Sequence, residues 1–562
     1  MLSRSLTLNL VTTILVFAQS VSSLWPIPRT LQSGTTALKL SPGFEFKVDI
    51  PEPPADLLEA VVQAKTYLLT DNLGRLVVGR GSSDLPSLSN ASSLPGLTLT
   101  LTTASPVLSI SEESVADLTT RDESYELNVP ADGSPATLTA NTTLGLYRGL
   151  TTFGQLWYSY GGEIYTIEAP LWTLDSPAYP FRGFMLDTAR NYFPVSDILR
   201  TLDAMSWAKI NTFHWHVVDS QSFPLQVTAF PELSAMGAYA PTEIYSPTDV
   251  QDIIAYAAAR GIDVLLEIDT PGHTTSIGYS HPEYIACNIA SPWATFANEP
   301  PAGQLRFADP AVTNFTSELF TSVAQTLPSK FFSTGGDELN VECYVDDVLT
   351  QQILNATGRT LEEALDLFTR TTHGALEALG KTPVVWEEMV LDHNVTLSNN
   401  TVVMVWISSA DAAAVAAKNF RIVHAPSDYF YLDCGAGEWI SDDPTGNSWC
   451  DPFKTWQETY TFDPLANLTE SQYPLVLGGE QLLWTEQSDP QNVDSIVWPR
   501  AAVSAEIFWT GATLPDGSPR NGTTALPRLH DLRFRMVQRG VRAIPLQPYW
   551  CALRPNECDL YA

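Results

Sequence analysis

Two adjacent carboxylates follow a short apolar run: Phe331-Phe332-Ser333-Thr334 leads through Gly335 and Gly336 into Asp337 and Glu338. Glycines let backbone approach closely, and carboxyls in a ligand site serve as general acid and base. Alone, a Gly-Asp-Glu reads equally well as a solvated turn. Its company changes the reading, because Asp187, Asp219, Asp269, Glu388 and Glu480 also fall at or just beyond the carboxyl ends of apolar runs. One Asp there would be a common helix cap; six such acids point to a shared acidic pocket. Trp386, Trp406 and Trp484 stand at the same ends. Sugar faces stack on aromatic rings and sugar hydroxyls donate to carboxylates, so the expected chemistry is on carbohydrate. The other tryptophans fit core packing.

The runs themselves predict the scaffold. Short, nearly continuous apolar stretches at 181–188, 211–218, 262–268, 331–334, 382–386, 402–407, 420–424 and 474–477 read as strands buried on both faces, with helical patterns between them at 248–260, 361–378 and 410–418. Eight such strands with acids at their carboxyl ends predict an α/β fold, a (β/α)8 TIM barrel, in which catalytic groups gather at that end. Periodicity alone is also compatible with an open doubly wound sheet. The barrel is assigned to residues 176–562 with a C-terminal extension. Before it, 24–175 is rich in Ser, Thr and Pro and alternates with period two, as in Leu97-Thr98-Leu99-Thr100 and Tyr125-Glu126-Leu127, which marks half-buried strands. With helical patterns at 54–69 and 145–158, it predicts a smaller α+β domain. Whether part of 24–120 is a propeptide is left open.

Several motifs in one order resemble glycoside hydrolase family 20, the β-N-acetylhexosaminidases. They are Arg182-Gly183-Phe184-Met185-Leu186-Asp187-Thr188-Ala189-Arg190, His214-Trp215-His216-Val217-Val218-Asp219, Asp269-Thr270-Pro271-Gly272-His273, Gly335-Gly336-Asp337-Glu338, Trp386-Glu387-Glu388, Tyr431-Leu432-Asp433 and Gly478-Gly479-Glu480 through Trp484-Thr485-Glu486. The resemblance implies an exo-acting retaining hydrolase whose nucleophile is the substrate's own 2-acetamido oxygen, one of the exceptions to the two-carboxylate scheme. It implies Glu338 as acid and base, Asp337 as the partner of the acetamido N–H, and Tyr431 as a donor to the acetamido carbonyl. Trp386, Trp406 and Trp484 would wall the pocket, Arg182 and Glu486 would hold the hydroxyls of the terminal sugar, and Asp433 would lie near its 6-position. Asp219, Asp269 and His273 would support the acid. Asp433 has no cation beside it in sequence, so a 6-sulfated sugar should be repelled. Many members carry His where this chain has Ser333, a departure that touches only a supporting contact. A homodimer is a further implication. A carbohydrate-binding glycoprotein without activity is the alternative function, though the acids it would have lost are present. An endo-acting chitinase would carry an Asp-X-X-Asp-X-Asp-X-Glu run, and none occurs.

Composition sets the setting. Residues 1–23 hold an early cation, an apolar run and small residues, as a secretory signal peptide does. Sequons begin at Asn90, Asn141, Asn314, Asn355, Asn394, Asn399, Asn467 and Asn521, consistent with a secreted, extracellular or vacuolar glycoprotein. Six cysteines allow 15 pairings. Loop closure favours neighbours, giving Cys287 with Cys343, Cys434 with Cys450 and Cys551 with Cys558. Their spacing matches no zinc module, and neither a metal nor another cofactor is expected. A net charge of −33 argues against nucleic acid and anionic membranes as partners and suits neutral N-acetylhexosamine-terminated oligosaccharides.

Overall fold

The computed structural model describes residues 23–103 and 106–560. The signal-peptide reading falls almost wholly outside them. Among the described residues no helix is long and apolar enough to cross a membrane.

Eight parallel strands close on themselves in chain order: Phe181–Asp187, Thr212–Val218, Asp263–Ile268, Phe331–Ser333, Thr382–Trp386, Val402–Val405, Arg421–His424 and Val476–Leu483. Closure runs through the pairing of the last strand with the first, from Gly478 beside Phe181 to Leu483 beside Leu186, which settles the barrel over the open sheet. Side chains of the first three strands are buried on both faces, because the inner face fills the barrel and the outer face lies under helices. The helix Leu361–Ala378 shows how the cover is specified. Thr360 and Glu363 form a capping box at its start, and Ala364, Leu365, Phe368, Thr372 and Leu376 recur at helical spacing on its buried face. Thr360→Ala should cost about 1 kcal/mol there.

The last strand departs from the sequence reading, which placed it at 474–477. Instead the strand runs through Gly478 and Gly479. A Cβ on Gly478 would sit 1.8 Å from the Phe181 carbonyl oxygen, and one on Gly479 would sit 2.5 Å from Phe508. These glycines let the last strand approach its neighbour and the helix outside. Glu480 is therefore not beyond the strand but inside the barrel, fully buried.

The N-terminal region forms a mixed six-stranded sheet of Gln32–Val48, Ser92–Leu101, Tyr125–Val129, Ala136–Ala140, Tyr158–Tyr160 and Glu163–Asp175. Leu97 and Leu99 are buried as the alternation predicts, and the helices Ala55–Thr70 and Thr143–Gln155 contribute Leu57, Leu144 and Leu150 to the core. Beneath the barrel, Glu123 accepts from Arg148 Nε at 2.7 Å, Arg182 Nη2 at 2.6 Å and Asn211 Nδ2 at 3.0 Å. Burial opposes the Glu123 charge, but the guanidiniums of Arg182 and Arg148 hold its carboxyl down at about 2.

All three disulfides pair as the loop-closure argument expects: Cys287 with Cys343, Cys434 with Cys450 and Cys551 with Cys558.

Candidate active site

The fourth barrel strand ends at Ser333, and Gly335 and Gly336 then turn the chain with φ of 66° and 99°. A Cβ on Gly335 would fall 1.8 Å from Asp269 Oδ1, and the Gly336 N–H donates to that same oxygen at 2.8 Å. The close approach the glycines permit is thus to the third strand's Asp269. The turn sets Asp337 against Asp269, with a hydrogen bond between the two carboxyls. Burial and then Asp269 push Asp337 well above the carboxylate range, and burial pushes Asp269 up to about 7, so this pair keeps a proton. Glu338 follows with φ 56°. This left-handed residue turns its side chain away from Asp337 and toward His273.

His273 also has a left-handed φ, of 53°, after the third strand. Its Nε2 lies 3.4 Å from Glu338 Oε2 and 3.8 Å from Asp337 Oδ2, and its Nδ1 lies 3.2 Å from Asp219 Oδ1. Burial opposes the Glu338 charge, but the hydrogen bond and positive charge of His273 outweigh it and bring that carboxyl below its ordinary value. Glu388, after the fifth strand, accepts from Trp406 Nε1 at 2.8 Å and from the Glu338 backbone N–H at 3.4 Å.

These groups face a cavity of about 520 Å3. Asp337, Glu338, Trp406, Tyr431, Asp433, Trp484 and Glu486 all line it, together with His273. The segment bearing Tyr431 is fastened alongside the last strand by Leu432 N–H to the Leu482 carbonyl, 2.8 Å, and by Leu482 N–H to the Phe430 carbonyl, 3.1 Å. The Tyr431 ring stacks over Trp406 at 6.2 Å and lies 6.4 Å from the Trp484 ring. Asp337 Oδ1 and Asp269 Oδ2 are both buried and accept from no N–H or O–H donor of the protein among the described residues, which leaves them to the proton that the pair shares. An acid beside an imidazole, a second carboxyl that shares a proton with its neighbour, and three aromatic walls are an arrangement that can support proton transfer to a sugar.

A sequence model of the glycosyl hydrolase family 20 catalytic domain matches residues 179–512. The chain belongs to glycosyl hydrolase family 20. It is a glycoside hydrolase of the β-hexosaminidase type. A second model, described as beta-acetyl hexosaminidase like, matches residues 24–156. Among relatives, a beta-hexosaminidase of Arthroderma benhamiae is 35% identical over 78% of this chain and 74% of that protein. A chitooligosaccharidolytic beta-N-acetylglucosaminidase of Bombyx mori is 34% identical over 78% and 75%. Among solved structures, the chitobiase of Flavobacterium johnsoniae superposes with a TM-score of 0.73 at 25% identity, covering 92% of this chain and 73% of that one.

Two residues of this family 20 hydrolase are not where the sequence reading put them. Arg182 stands at the start of the first strand, at the opposite end of the barrel from the cavity. Its guanidinium is consumed by Glu123, the Lys209 carbonyl and the Tyr179 carbonyl. The arginine that lines the cavity is Arg190, beyond the carboxyl end of that strand. It meets Asp219 at 3.0 Å, pairs with Glu299 and lies 4.9 Å over the Trp484 ring. Arg190 closes the motif that Arg182 opens, so strand direction could have chosen between them. Trp386, with 1% exposure, lies beneath the wall rather than in it, 6.2 Å from Trp484 and 5.7 Å from His214.

Other cavity residues carried no sequence signal. Asn298 and Glu299 come from an irregular loop, and Trp439, Ile440 and Trp449 come from the loop that Cys434 and Cys450 close. Trp449 is 65% exposed at the cavity wall, edge-on to Trp406 at 5.5 Å and to Tyr431 at 5.8 Å. The argument that Asp433 has no nearby cation also fails, since Arg500 and Arg190 both bear on its charge from distant parts of the sequence.

Proposed function

We propose that this hydrolase removes single β-linked N-acetylglucosamine or N-acetylgalactosamine residues from non-reducing ends by substrate-assisted catalysis. The observation that carries the reading is the divergence of Asp337 and Glu338, one against Asp269 and the other against His273. This unequal partnering, a proton-sharing pair beside an acid held by an imidazole, fits the substrate-assisted exception to the two-carboxylate scheme better than it fits two equivalent carboxyls. Glu338 gives its proton to the glycosidic oxygen as the C1–O bond breaks, and the acetamido oxygen bonds to C1 to form an oxazolinium. Asp337, which lines the cavity, accepts from the acetamido N–H. Positive charge on the ring favours the Asp337 anion, leaving the shared proton on Asp269. Tyr431 donates to the acetamido oxygen and aims it at C1. Glu338, now a carboxylate, takes a proton from water as that water attacks C1, and the acetamido group reopens with retained configuration. Arg190, Asp433 and Glu486 bond the sugar hydroxyls, while Trp406 and Trp484 exclude water.

The chitooligosaccharidolytic name of the Bombyx mori relative makes chitin oligomers the first substrates to try. We infer further that the enzyme is a secreted glycoprotein, since all eight sequon asparagines are exposed, and that it is a homodimer. A chromogenic aryl N-acetyl-β-glucosaminide tests activity, and the products from a chitin hexamer test its direction. Monosaccharide release from the outset is expected. Early internal fragments would overturn the exo reading, and no hydrolysis of either substrate would favour a binding protein. Glycosidase-treated mass and light scattering check glycosylation and the dimer.

A further inference from the structure

Below the cavity, the barrel interior holds a file of buried ionisable side chains that the mechanism above does not use. Glu480 Oε1 lies 2.9 Å from His214 Nδ1, and His214 Nε2 lies 3.2 Å from Glu267 Oε2. Glu267 Oε1 lies 2.5 Å from His216 Nδ1, and His216 Nε2 lies 2.7 Å from Asp219 Oδ2. Asp219 then reaches His273, and His273 reaches Glu338. Strand periodicity builds the file: His214 and His216 are two apart on the second strand and share its inner face, with Glu267 beside them on the third and Glu480 on the eighth. Ser333 on the fourth strand also donates to Glu267.

A barrel interior is ordinarily filled by branched apolar side chains, and a buried charge without a partner costs several kcal/mol. The pattern here is strict alternation, with a carboxylate oxygen at both nitrogens of His214 and of His216. A neutral imidazole has one N–H and satisfies only one such neighbour, whereas the imidazolium donates from both sides. Burial opposes their charge, yet the flanking carboxylates raise His214 to about 9 and His216 to about 10. Asp219 is contested: its Oδ2 meets both His216 and Arg190, leaving Oδ1 for His273.

We propose that Glu267 is a positioning residue for proton transfer: it holds His216 as a double donor, His216 anchors Asp219 against the pull of Arg190, and Asp219 thereby orients His273 on Glu338. The inference rests on the reading of Glu338 as the acid and base. Glu267 touches no substrate, and its influence passes through three side chains.

Glu267→Gln keeps the shape but removes the charge, so His216 loses its reason to stay doubly protonated and Asp219 is freed toward Arg190. The experiment compares a methyl N-acetyl-β-glucosaminide, whose leaving group needs the proton, with the 2,4-dinitrophenyl glycoside, whose leaving group does not. In full-length Glu267→Gln, kcat/KM on the methyl glycoside should fall about 100-fold, the scale of a small misplacement of reacting groups. On the dinitrophenyl glycoside the fall in kcat/KM, which reports cleavage of the glycoside and not the later attack of water, should be within about fivefold. Ser333→Ala, which removes one hydroxyl donor to Glu267 and leaves its charge in place, should move the ratio of the two rates in the same direction by a smaller factor. Equal losses on both substrates would mean that the file only stabilises the barrel, and no loss would mean that it does not reach the acid; either overturns the proposal. If Glu267→Gln does not fold, an unchanged ratio in Ser333→Ala overturns it. Glu338→Gln run alongside separates the failures, because an acid reading that is wrong shows no leaving-group dependence there either.

Discussion

His273 Nε2 stands 3.4 Å from Glu338 Oε2, so the group expected to give up a proton faces an imidazole flanked by carboxylates on both sides. Burial opposes ionisation of Glu338, and His273 overrides it. A carboxyl held below its ordinary value carries its proton only at acidic pH, so kcat/KM for a phenyl N-acetyl-β-glucosaminide should fall as pH rises through that lowered value. His273→Gln removes the cation that does the lowering. Its limb should move to higher pH even at a lower overall rate, as read from the pH profile of kcat/KM, which reports the free enzyme. A limb that stays in place would disconnect His273 from the acid.

Asp337 lines the cavity next to Glu338 and shares a proton with Asp269. Asp337→Asn should lower turnover about 100-fold or more, in the range of a lost electrostatic contact in the transition state. It should also weaken binding of a thiazoline analogue of the oxazolinium while changing the product's affinity little. Calorimetry with both ligands checks the split.

Arg182 and Arg190 should separate stability from binding. Arg182→Leu leaves the Glu123 charge buried with one guanidinium fewer, which costs about 3–5 kcal/mol. It should lower the melting temperature while the folded fraction keeps its KM. Arg190→Lys should do the reverse, raising KM for the aryl substrate with a smaller change in melting temperature. Thermal denaturation beside kinetics decides it.

Asp433 governs charge at one side of the cavity in a pH-dependent way. Burial pushes its carboxyl up to about 7, with Arg500 and Arg190 pulling the other way. Below that pH it is mostly neutral and offers a 6-sulfate little repulsion; above it the anion faces the sulfate. Two like charges about 4 Å apart cost about 4 kcal/mol at an effective dielectric near 20, reduced here by the two arginines. The preference for neutral over 6-sulfated aryl substrate should therefore grow about tenfold between pH 5 and pH 8, and Asp433→Asn should flatten that trend.

Trp449 stands exposed beside Trp406 and Tyr431 on the disulfide-closed loop, and the expectation is that it stacks on the sugar after the scissile bond. Trp449→Ala should raise KM for chitin oligomers about tenfold, matching about 1–1.5 kcal/mol of lost aromatic contact. It should leave KM for the aryl monosaccharide nearly unchanged. Equal effects on both substrates would place Trp449 against the terminal sugar instead.

Most of the scaffold was legible because burial on both faces leaves a continuous apolar run, and seven of the eight strands end within two residues of their expected limits. The eighth was cut short because Gly478 and Gly479 signal a break in sequence but serve close strand packing in space. Asp337, Trp406 and Trp484 were legible from strand ends, and Glu338 and Tyr431 from the family resemblance; all five line the cavity. Arg182 was misplaced because strand membership alone does not say which end a residue occupies. Glu267 and Glu299 were invisible: one hides in an apolar strand and the other in a loop without pattern, and both matter only through partners remote in sequence.

The clasp of Glu123 with Arg148, Arg182 and Asn211 bears on how this enzyme can be dissected. One acid from the N-terminal sheet region completes the underside of the barrel, while all the chemistry lies at the opposite mouth. A fragment beginning at the first barrel strand would carry every reactive group yet keep a guanidinium with no counter-charge in its interior. Neither half is a self-sufficient module. Exchanging the leading half for that of a distant relative would transplant the sheet but succeed only if the acid came with it, so the two halves are expected to be inherited together.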